Sequence, residues 1–373
     1  MTIGIDIRPL GSGRRSGVEE YIIRLLENLI PLDPTVNYKL FYSSYSRPLP
    51  DFPWLRAPNV SVFRFKIPNR LLFFGQRFLG IPKIDKLLGG VDVFFSPHFL
   101  PVALSPGVKR VTTFHDLSFL RFPEFFPSSS RWWHRFINPI KAAKFSDRLI
   151  AVSDSTARDL EHFYSIDPVR VTKIYSGVGS DMARPEQHEI SRFKYDKVLP
   201  DKFILFLGTL EPRKNIIGLI RAFEMISRRE THLIIAGSPG WLYEDILKSV
   251  ENSPAKDRIR LFGTIQEHER PLLYGSASVF AYPSFFEGFG FPPLEAMACG
   301  VPVIVSQNSS LPEVVGNSGI LVNPYSISSI STALEQVLGD QSLAVDLSTS
   351  GQARAELFTW EKTAKETLRV LTF

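Results

Sequence analysis

With 373 residues, 44% of them apolar, the chain is too long for one compact core and fits two domains of ordinary size. Its lone cysteine, Cys299, excludes an internal disulfide and points to a reducing cytoplasm, while no basic n-region precedes the strand-like start and the window 91–108 is too broken by Pro and Gly to cross a membrane. The net charge of +5 divides into 25 Lys/Arg against 16 Asp/Glu over residues 1–185 and 18 against 22 over 186–373, so the front half suits an anionic partner. Membrane lipid or a lipid-phosphate acceptor fits that charge; no zinc knuckle, RNP-like aromatic motif or recognition-helix pattern accompanies it, and nucleic acid is not expected.

Ile3 to Ile7 alternates as a first strand, and Val18, Tyr21, Ile22, Leu25, Leu26 and Leu29 behind Gly17 mark an amphipathic helix. Between them Gly11-Ser-Gly-Arg-Arg-Ser-Gly17 is a loop whose Arg14 and Arg15 suit a phosphate or a plain surface turn. Tyr38 to Tyr42 and Val60 to Phe65 read as the next strands. Residues 64–86 then hold six basic side chains, one acid and four phenylalanines. This pattern fits an interfacial membrane contact, or a helix that packs its aromatics inward and snorkels its cations. The stretch 128–137, with Trp132 and Trp133, has the same character. Asp92 to Ser96 and Arg110 to Phe114 look like buried strands, and the second runs into His115 and Asp116. Ligands gather outside the carboxyl ends of strands in open α/β sheets, which places His115 among the site candidates, the alternative being a structural histidine with its hydrogen bonds satisfied. Strands over Arg148 to Val152 and Val169 to Tyr175, with a capped helix to Phe163 between them, complete a first domain over residues 1–178, joined by a terminal helix in 359–373.

Polar residues from Gly177 to about Leu199, without clear periodicity, predict an interdomain linker that opens a second domain over 179–358. Phe203 to Gly208 is an apolar strand of the buried parallel type, followed by Thr209-Leu-Glu-Pro-Arg-Lys-Asn215 and a helix. Arg213 and Lys214 stand beside that helix start, where the dipole repels cations unless an anion sits between, or where they are plain solvated surface charges, and Asn215 is placed to cap it. Strands near His232 to Ala236, Ile259 to Phe262, Val279 to Ala281, Val301 to Val305 and Ile320 to Val322 continue the rhythm. The loops Gly237 to Trp241 and Gly263-Thr264-Ile265 lie at strand ends. The densest segment is Ser284-Phe-Phe-Glu-Gly-Phe-Gly-Phe-Pro-Pro-Leu-Glu-Ala-Met-Ala-Cys-Gly300. Gly288 and Gly290 break a strand, and Leu294 restarts a helix that Gly300 can cap. The amides of Gly288, Phe289, Gly290 and Phe291, then of Leu294 and Glu295, suit an anion, whereas Pro292 and Pro293 donate nothing. A carboxylate on each side of such a loop, Glu287 and Glu295, fits a ligand with hydroxyls at both ends and phosphate between, as in a nucleotide sugar. The plain alternative is a first-turn helix acid and two turn glycines.

Glu287 to Glu295 within EGFGFPPLEAMACG resembles the E-x7-E motif of the retaining glycosyltransferases of family 4. His115-Asp116 is similar to that family's His-Asp motif, and Glu-Pro-Arg-Lys-Asn to its diphosphate-binding loop. Two stretches depart from the family pattern: Gly17-Val-Glu-Glu-Tyr21 stands where Gly-Ile-Gly-Arg-Tyr is common, and Ser176-Gly-Val-Gly179 where Asn-Gly-Val-Asp is usual. The resemblance implies the α/β GT-B architecture, two Rossmann-like doubly wound parallel-sheet domains facing across a cleft. It further implies transfer of a sugar from a nucleotide diphosphate sugar with retention, by front-face attack. Arg213 and Lys214 would then stabilise the leaving diphosphate, Glu287 would hold the donor sugar, and His115 would contact that sugar from the other domain. Glu295 would accept the ribose hydroxyls, with Gly288, Phe289, Gly290, Phe291, Leu294, Thr264 and Gly17 completing the donor site. No metal or other cofactor is expected, since no two aspartates stand two apart and the cationic loop can do a metal's work. The likeness is greatest to mannosyltransferases of polysaccharide and O-antigen assembly, which implies GDP-mannose as donor and a glycan or lipid-linked acceptor; the lone cysteine and the basic, aromatic front half add the expectation of a place on the cytoplasmic face of a membrane.

Other classes fit less well. A phosphorylase calls for a longer chain with a pyridoxal phosphate lysine region, and a nicotinamide dehydrogenase for a Gly-x-Gly-x-x-Gly turn with an acid about twenty residues on. Two rivals stay open: a transferase of the same architecture with a UDP-sugar donor, and a non-catalytic nucleotide-sugar binder.

Overall fold

The computed structural model describes residues 1–11 and 16–373, so the expected phosphate contact of Arg14 and Arg15 falls outside the described residues. The chain divides into two units, one of Met1–Arg121, Ser128–Gly177 and Thr359–Phe373, the other of Phe122–Pro127 and Val178–Phe358.

Seven strands form the sheet of the first unit: β1 (Thr2–Asp6), β2 (Asn37–Ser43), β3 (Val60–Phe65), β4 (Val93–Ser96), β5 (Lys109–Phe114), β6 (Arg148–Ala151) and β7 (Val171–Lys173). They pair in parallel in the order β3-β2-β1-β4-β5-β6-β7. A parallel sheet is covered on both faces, and the central strands accordingly bury Ile3, Ile5, Phe94, Phe95, Val111, Phe114, Leu149 and Ile150 completely. Strand order reverses between β1 and β4, which opens a crevice at their carboxyl ends.

The helix Gly17–Leu29 turns Tyr21, Ile22, Leu25, Leu26 and Leu29 inward. Its first turn is closed by a capping box: the Ser16 amide donates to Glu19 Oε2 at 2.8 Å and the Glu19 amide to Ser16 Oγ at 3.4 Å. Glu19 thus has a structural task where the family pattern has glycine. The terminal helix Trp360–Leu371 belongs to this unit. Its Trp360 ring lies 5.9 Å from Tyr21, and Thr363 Oγ1 donates to the Tyr175 carbonyl at 2.7 Å. Gly177 crosses so close to this helix start that a Cβ would stand 2.3 Å from the Trp360 nitrogen, which only glycine tolerates.

The basic and aromatic stretch 64–86 splits its faces. Helix Asn69–Phe74 sends Leu72 and Phe73 inward, where Leu72 packs with Phe41, Ile84, Leu88 and Phe94, and the wider turn Gly75–Leu79 buries Gln76. Leu71, Phe74, Phe78, Leu79 and Ile81 are exposed, as are Trp132 and Trp133 on helix Ser128–Ile137. Core packing and an outward apolar face therefore coexist. Among the described residues no helix is long and apolar enough to cross a membrane.

In the second unit β8 (Phe203–Leu207), β9 (His232–Ala236), β10 (Ile259–Gly263), β11 (Val279–Tyr282), β12 (Val303–Ser306) and β13 (Ile320–Val322) pair in parallel in the order β10-β9-β8-β11-β12-β13. Reversal here falls between β8 and β11. One sequence expectation needs correction: the polar run after Gly177 contains a helix, Gln187–Asp196. Only Ile190 and Phe193 are buried along it, too few for a visible period, and reciprocal capping between Glu186 and Glu189 starts it.

Candidate active site

The loops leaving β8 and β11, the strands flanking the reversal, are tied together. The Phe285 amide donates to the Arg213 carbonyl at 2.9 Å. Asn215 Nδ2 donates to the Pro283 carbonyl at 3.0 Å and the Pro324 carbonyl at 2.7 Å. Asn215 was expected to cap the helix Ile216–Met225, and its side chain does not: at φ 55° the left-handed backbone turns the amide group toward the neighbouring loops instead.

This stitching sets Arg213 and Lys214 against Glu287. Arg213 Nη1 donates to Glu287 Oε2 at 2.9 Å and to the Phe286 carbonyl at 2.6 Å, and Nη2 donates to Glu211 Oε1 at 2.6 Å. Lys214 Nζ donates to Glu287 Oε1 at 2.7 Å and Oε2 at 2.9 Å, and to the Tyr282 hydroxyl at 2.7 Å. These side chains are 3–12% exposed, so the two cations and two carboxylates face each other with little water to screen them. Burial alone would push the Glu287 carboxyl up, but the Arg213 and Lys214 charges override it and hold the group down at about 2. For Lys214, burial and the adjacent guanidinium lower the ammonium's proton affinity, with Glu287 and Glu211 opposing them. Burial, with the Glu287 charge beside it, raises the Tyr282 phenol.

The backbone around Glu287 is held from a third side. Its amide donates to Ser309 Oγ at 3.1 Å, Ser310 Oγ donates to the carbonyls of Glu287 at 2.9 Å and Phe289 at 2.6 Å, and Asn308 Nδ2 donates to the Phe285 carbonyl at 2.9 Å. Gly290, at φ 116°, turns the chain into the helix Phe291–Ala298. That helix begins three residues before the expected Leu294, because Pro292 and Pro293 fit a first turn whose amides have no partner within the helix. The Leu294 amide already makes a helical bond to the Gly290 carbonyl at 3.3 Å.

Glu295 lies on this helix, buried, in a second ion pair. Arg270 Nη2 donates to its Oε2, and so does the Tyr274 hydroxyl at 2.8 Å. Arg270 and Tyr274 are four apart on helix Arg270–Ser276 and so share its face. Arg270 and Tyr274 thus hold the Glu295 carboxylate from one side. Thermal unfolding of Arg270→Gln, Glu295→Gln and the double variant should show non-additive losses, with a coupling of about 0.5–3 kcal/mol. Additive losses would mean that Arg270 does not hold Glu295.

The remaining candidates are distributed. Thr264 is exposed just after β10, two strands from β8. His115 and Gly17 belong to the first unit, joined through Tyr21, whose ring meets the His115 imidazole edge-on at 4.8 Å. His115 Nε2 lies 2.8 Å from the Pro97 carbonyl, which can only accept, so Nε2 carries the proton and Nδ1 of the neutral ring is an acceptor. Burial lowers its pKa, against the Pro97 bond and the Asp116 charge.

Arg213, Lys214 and Glu287 thus form one cluster, from which Gly288 to Glu295 lead along the chain. Sequence reasoning missed Glu211, Arg270, Tyr274, Tyr282, Ser309 and Ser310. Glu211 sat inside the quoted loop Thr209 to Asn215; the others carried no local signal. Among the described residues no three His, Cys, Asp or Glu side chains are grouped as metal ligands would be.

Comparison with known proteins shows the family. Residues 15–181 match the family described as Glycosyltransferase Family 4, and residues 187–354 match Glycosyl transferases group 1. The chain is 34% identical over 372 residues to the O-antigen chain mannosyltransferase B of Escherichia coli, covering 95% of each. It is 32% identical over 266 residues to the serotype-specific mannosyltransferase WbdA of Escherichia coli, covering 69% of this chain and 32% of that longer protein. Its fold is similar to that of sucrose-phosphate synthase from Thermosynechococcus elongatus, with a TM-score of 0.78 at 20% identity over 99% of this chain and 98% of the other. The chain belongs to glycosyltransferase family 4: it is a retaining hexosyltransferase of GT-B fold that takes its sugar from a nucleotide-sugar donor.

Proposed function

We propose that the chain transfers mannose from GDP-mannose to a glycan or lipid-linked acceptor in polysaccharide or O-antigen assembly. The observation that carries the donor site is the pairing of Arg213 and Lys214 with Glu287 at the strand reversal of the second unit. Support for mannose comes from relatives that bear that activity in their names, one of them aligned along 95% of its length.

In this reading the bond between the anomeric carbon and the phosphate oxygen breaks, and the electron pair leaves with the diphosphate. Arg213 and Lys214 stabilise the charge that develops there. The acceptor hydroxyl attacks from the same face, and the departing phosphate oxygen takes its proton. Glu287, held at about 2 by two cations, is a weak base and a weak nucleophile, which suits it to hold donor-sugar hydroxyls rather than to form a covalent intermediate. Neutral His115 accepts a sugar hydroxyl at Nδ1. Glu295 takes the ribose hydroxyls, with Gly288 to Phe291, Leu294, Thr264 and Gly17 around the rest of the donor. The basic, apolar-faced stretches 64–86 and 128–137 rest on the cytoplasmic face of a membrane.

A panel of nucleotide sugars, each incubated with candidate acceptors in excess chelator, tests this reading. GDP-mannose should be turned over with its anomeric configuration retained, and chelator should leave the rate unchanged. Turnover of a UDP-sugar but not of GDP-mannose would reassign the donor. Complete loss in EDTA, restored by magnesium or manganese, would overturn the assignment of the metal's work to Arg213 and Lys214.

A further inference from the structure

The first unit contains a cavity of about 170 Å³ that the donor chemistry does not use. Gln76, Leu100 to Leu104, Ser96, Thr112 and Ile137 form its floor and walls, and four cationic side chains line it: Arg77, Lys83, Arg110 and Lys141. No carboxylate lines it, and among the described residues none of the four is ion-paired. Arg110 Nη2 donates to the Val102 carbonyl at 2.9 Å, and burial lowers its pKa against the charge of Asp147, whose carboxylate lies outside the cavity lining and accepts from the Arg110 amide at 2.7 Å. Arg77 Nε is buried with no hydrogen-bond partner. Four cations sharing one concavity repel one another, and an orphaned buried N–H adds a desolvation cost; an anion relieves both. The volume lies below the roughly 300–1,000 Å³ of pockets that enclose whole drug-sized ligands, which points to a head group rather than a nucleotide.

The rim says what the head group is attached to. Phe145 lines the cavity and is exposed, with Lys141 Nζ 5.8 Å from its ring centre. Arg77 lies against the ring of exposed Phe78 at 5.2 Å. From Phe78 a run of rings continues to Phe74 at 5.1 Å, and to Phe136 at 5.9 Å and on to Trp133 at 6.0 Å, with exposed Leu79 and Ile81 alongside. We infer that this cavity binds the phosphate ester of a membrane lipid, the cations taking the phosphate while Phe78, Leu79 and Phe145 enter the acyl boundary. The inference rests on the membrane contact proposed above and makes it specific: one pocket, not diffuse surface charge, reads the lipid.

The same loop connects the cavity to the proposed sugar contact. Residues 97–104 give the Pro97 carbonyl to His115 at one end and wall the cavity with Leu100 to Leu104 at the other. A bound lipid phosphate thereby fixes the loop against which His115 is oriented.

Two variants of equal charge loss test the pocket. In Arg77→Gln/Lys83→Gln/Lys141→Gln the losses lie in the cavity; in Lys66→Gln/Arg70→Gln/Lys86→Gln they fall on exposed residues of the same region outside it. On phosphatidylcholine vesicles doped with phosphatidic acid, sedimentation of the full chain should weaken about a hundredfold for the first variant, three charges at about 1 kcal/mol each, and clearly less for the second, whose side chains do not reach the bound phosphate. Equal losses would show diffuse attraction and overturn the pocket. Calorimetry with monomeric short-chain phosphatidic acid and with inorganic phosphate separates the sources: tighter binding of the lipid supports the assignment, and equal binding would make this a free-phosphate site and overturn it. Hydrolysis of GDP-mannose by water, followed in the same samples, reads the donor site. Its absence in the unaltered protein would count against the proposed donor, whereas the calorimetric result stands on its own.

Discussion

Glu287→Gln will lower the melting temperature of the free protein by roughly 10 °C, and a nucleoside diphosphate will restore more of it than the same ligand adds to the unaltered protein. Removing one partner of a buried ion pair costs about 3–5 kcal/mol, because the other charge is left uncompensated. Here two cations, Arg213 and Lys214, lose the carboxylate that both contact. A diphosphate gives back the missing negative charge. It also no longer competes with an internal anion, so its calorimetric affinity should rise in the variant. Donor turnover should move the other way, falling about 100-fold if Glu287 holds the donor sugar as proposed, because the sugar then loses the group that positions it. Unchanged melting and weaker diphosphate binding would show that Glu287 does not share the cations with the ligand. The pH dependence follows from the same charge. Glu287 is depressed from 4.5 to about 2, so its stabilising contribution is fully present above about 4.5 and is lost as pH falls toward 2. Acid titration of the melting temperature should therefore be flatter for Glu287→Gln across that window.

Lys214→Ala and Arg213→Ala should each weaken nucleoside diphosphate binding by about 1.5–3 kcal/mol, roughly ten- to hundredfold, and leave the bare nucleoside nearly unaffected. The loss in turnover should be larger, on the order of 100- to 1,000-fold, since charge on the departing diphosphate grows toward the transition state and a preorganised donor counts most there. Lys214 is the sharper test. Its ammonium is held by Glu287 and the Tyr282 hydroxyl, so its position is fixed before any ligand arrives. Equal losses for nucleoside and diphosphate would remove the loop from phosphate recognition. Melting curves for each variant separate these readings from a general loss of folding.

The sheets were legible because parallel strands are buried on both faces and so appear as short apolar runs; Phe203 to Leu207 has no polar residue at all. The helix Gln187–Asp196 escaped notice because two buried residues in ten leave no period. At the site, the types and loop positions of Arg213, Lys214 and Glu287 were readable, but their contact was not. It joins residues 73 and 74 apart through the adjacency of β8 and β11, which depends on strand order rather than on local pattern. Arg270 and Glu295 are likewise joined only by the packing of two helices. The cationic cavity draws on loops, helices and strands from Gln76 to Phe145, none of which carries a motif.

The six residues Phe122–Pro127 are counted with the second unit although the chain on both sides of them belongs to the first. Phe125 stacks on Phe285 at 5.1 Å, Phe122 lies 5.9 Å from Phe286, Phe126 stacks on Trp241 at 5.4 Å, and Trp241 Nε1 donates to the Phe125 carbonyl at 2.6 Å. Phe285 and Phe286 are the two residues immediately before Glu287. The second unit therefore cannot be cut out, or exchanged between relatives, as one continuous stretch. A chimera that takes Val178–Phe358 from one parent and the remainder from another inherits a foreign hexapeptide over the rings that lead into its own Glu287, so recombination within this family is constrained at a point far in sequence from the Glu287 segment.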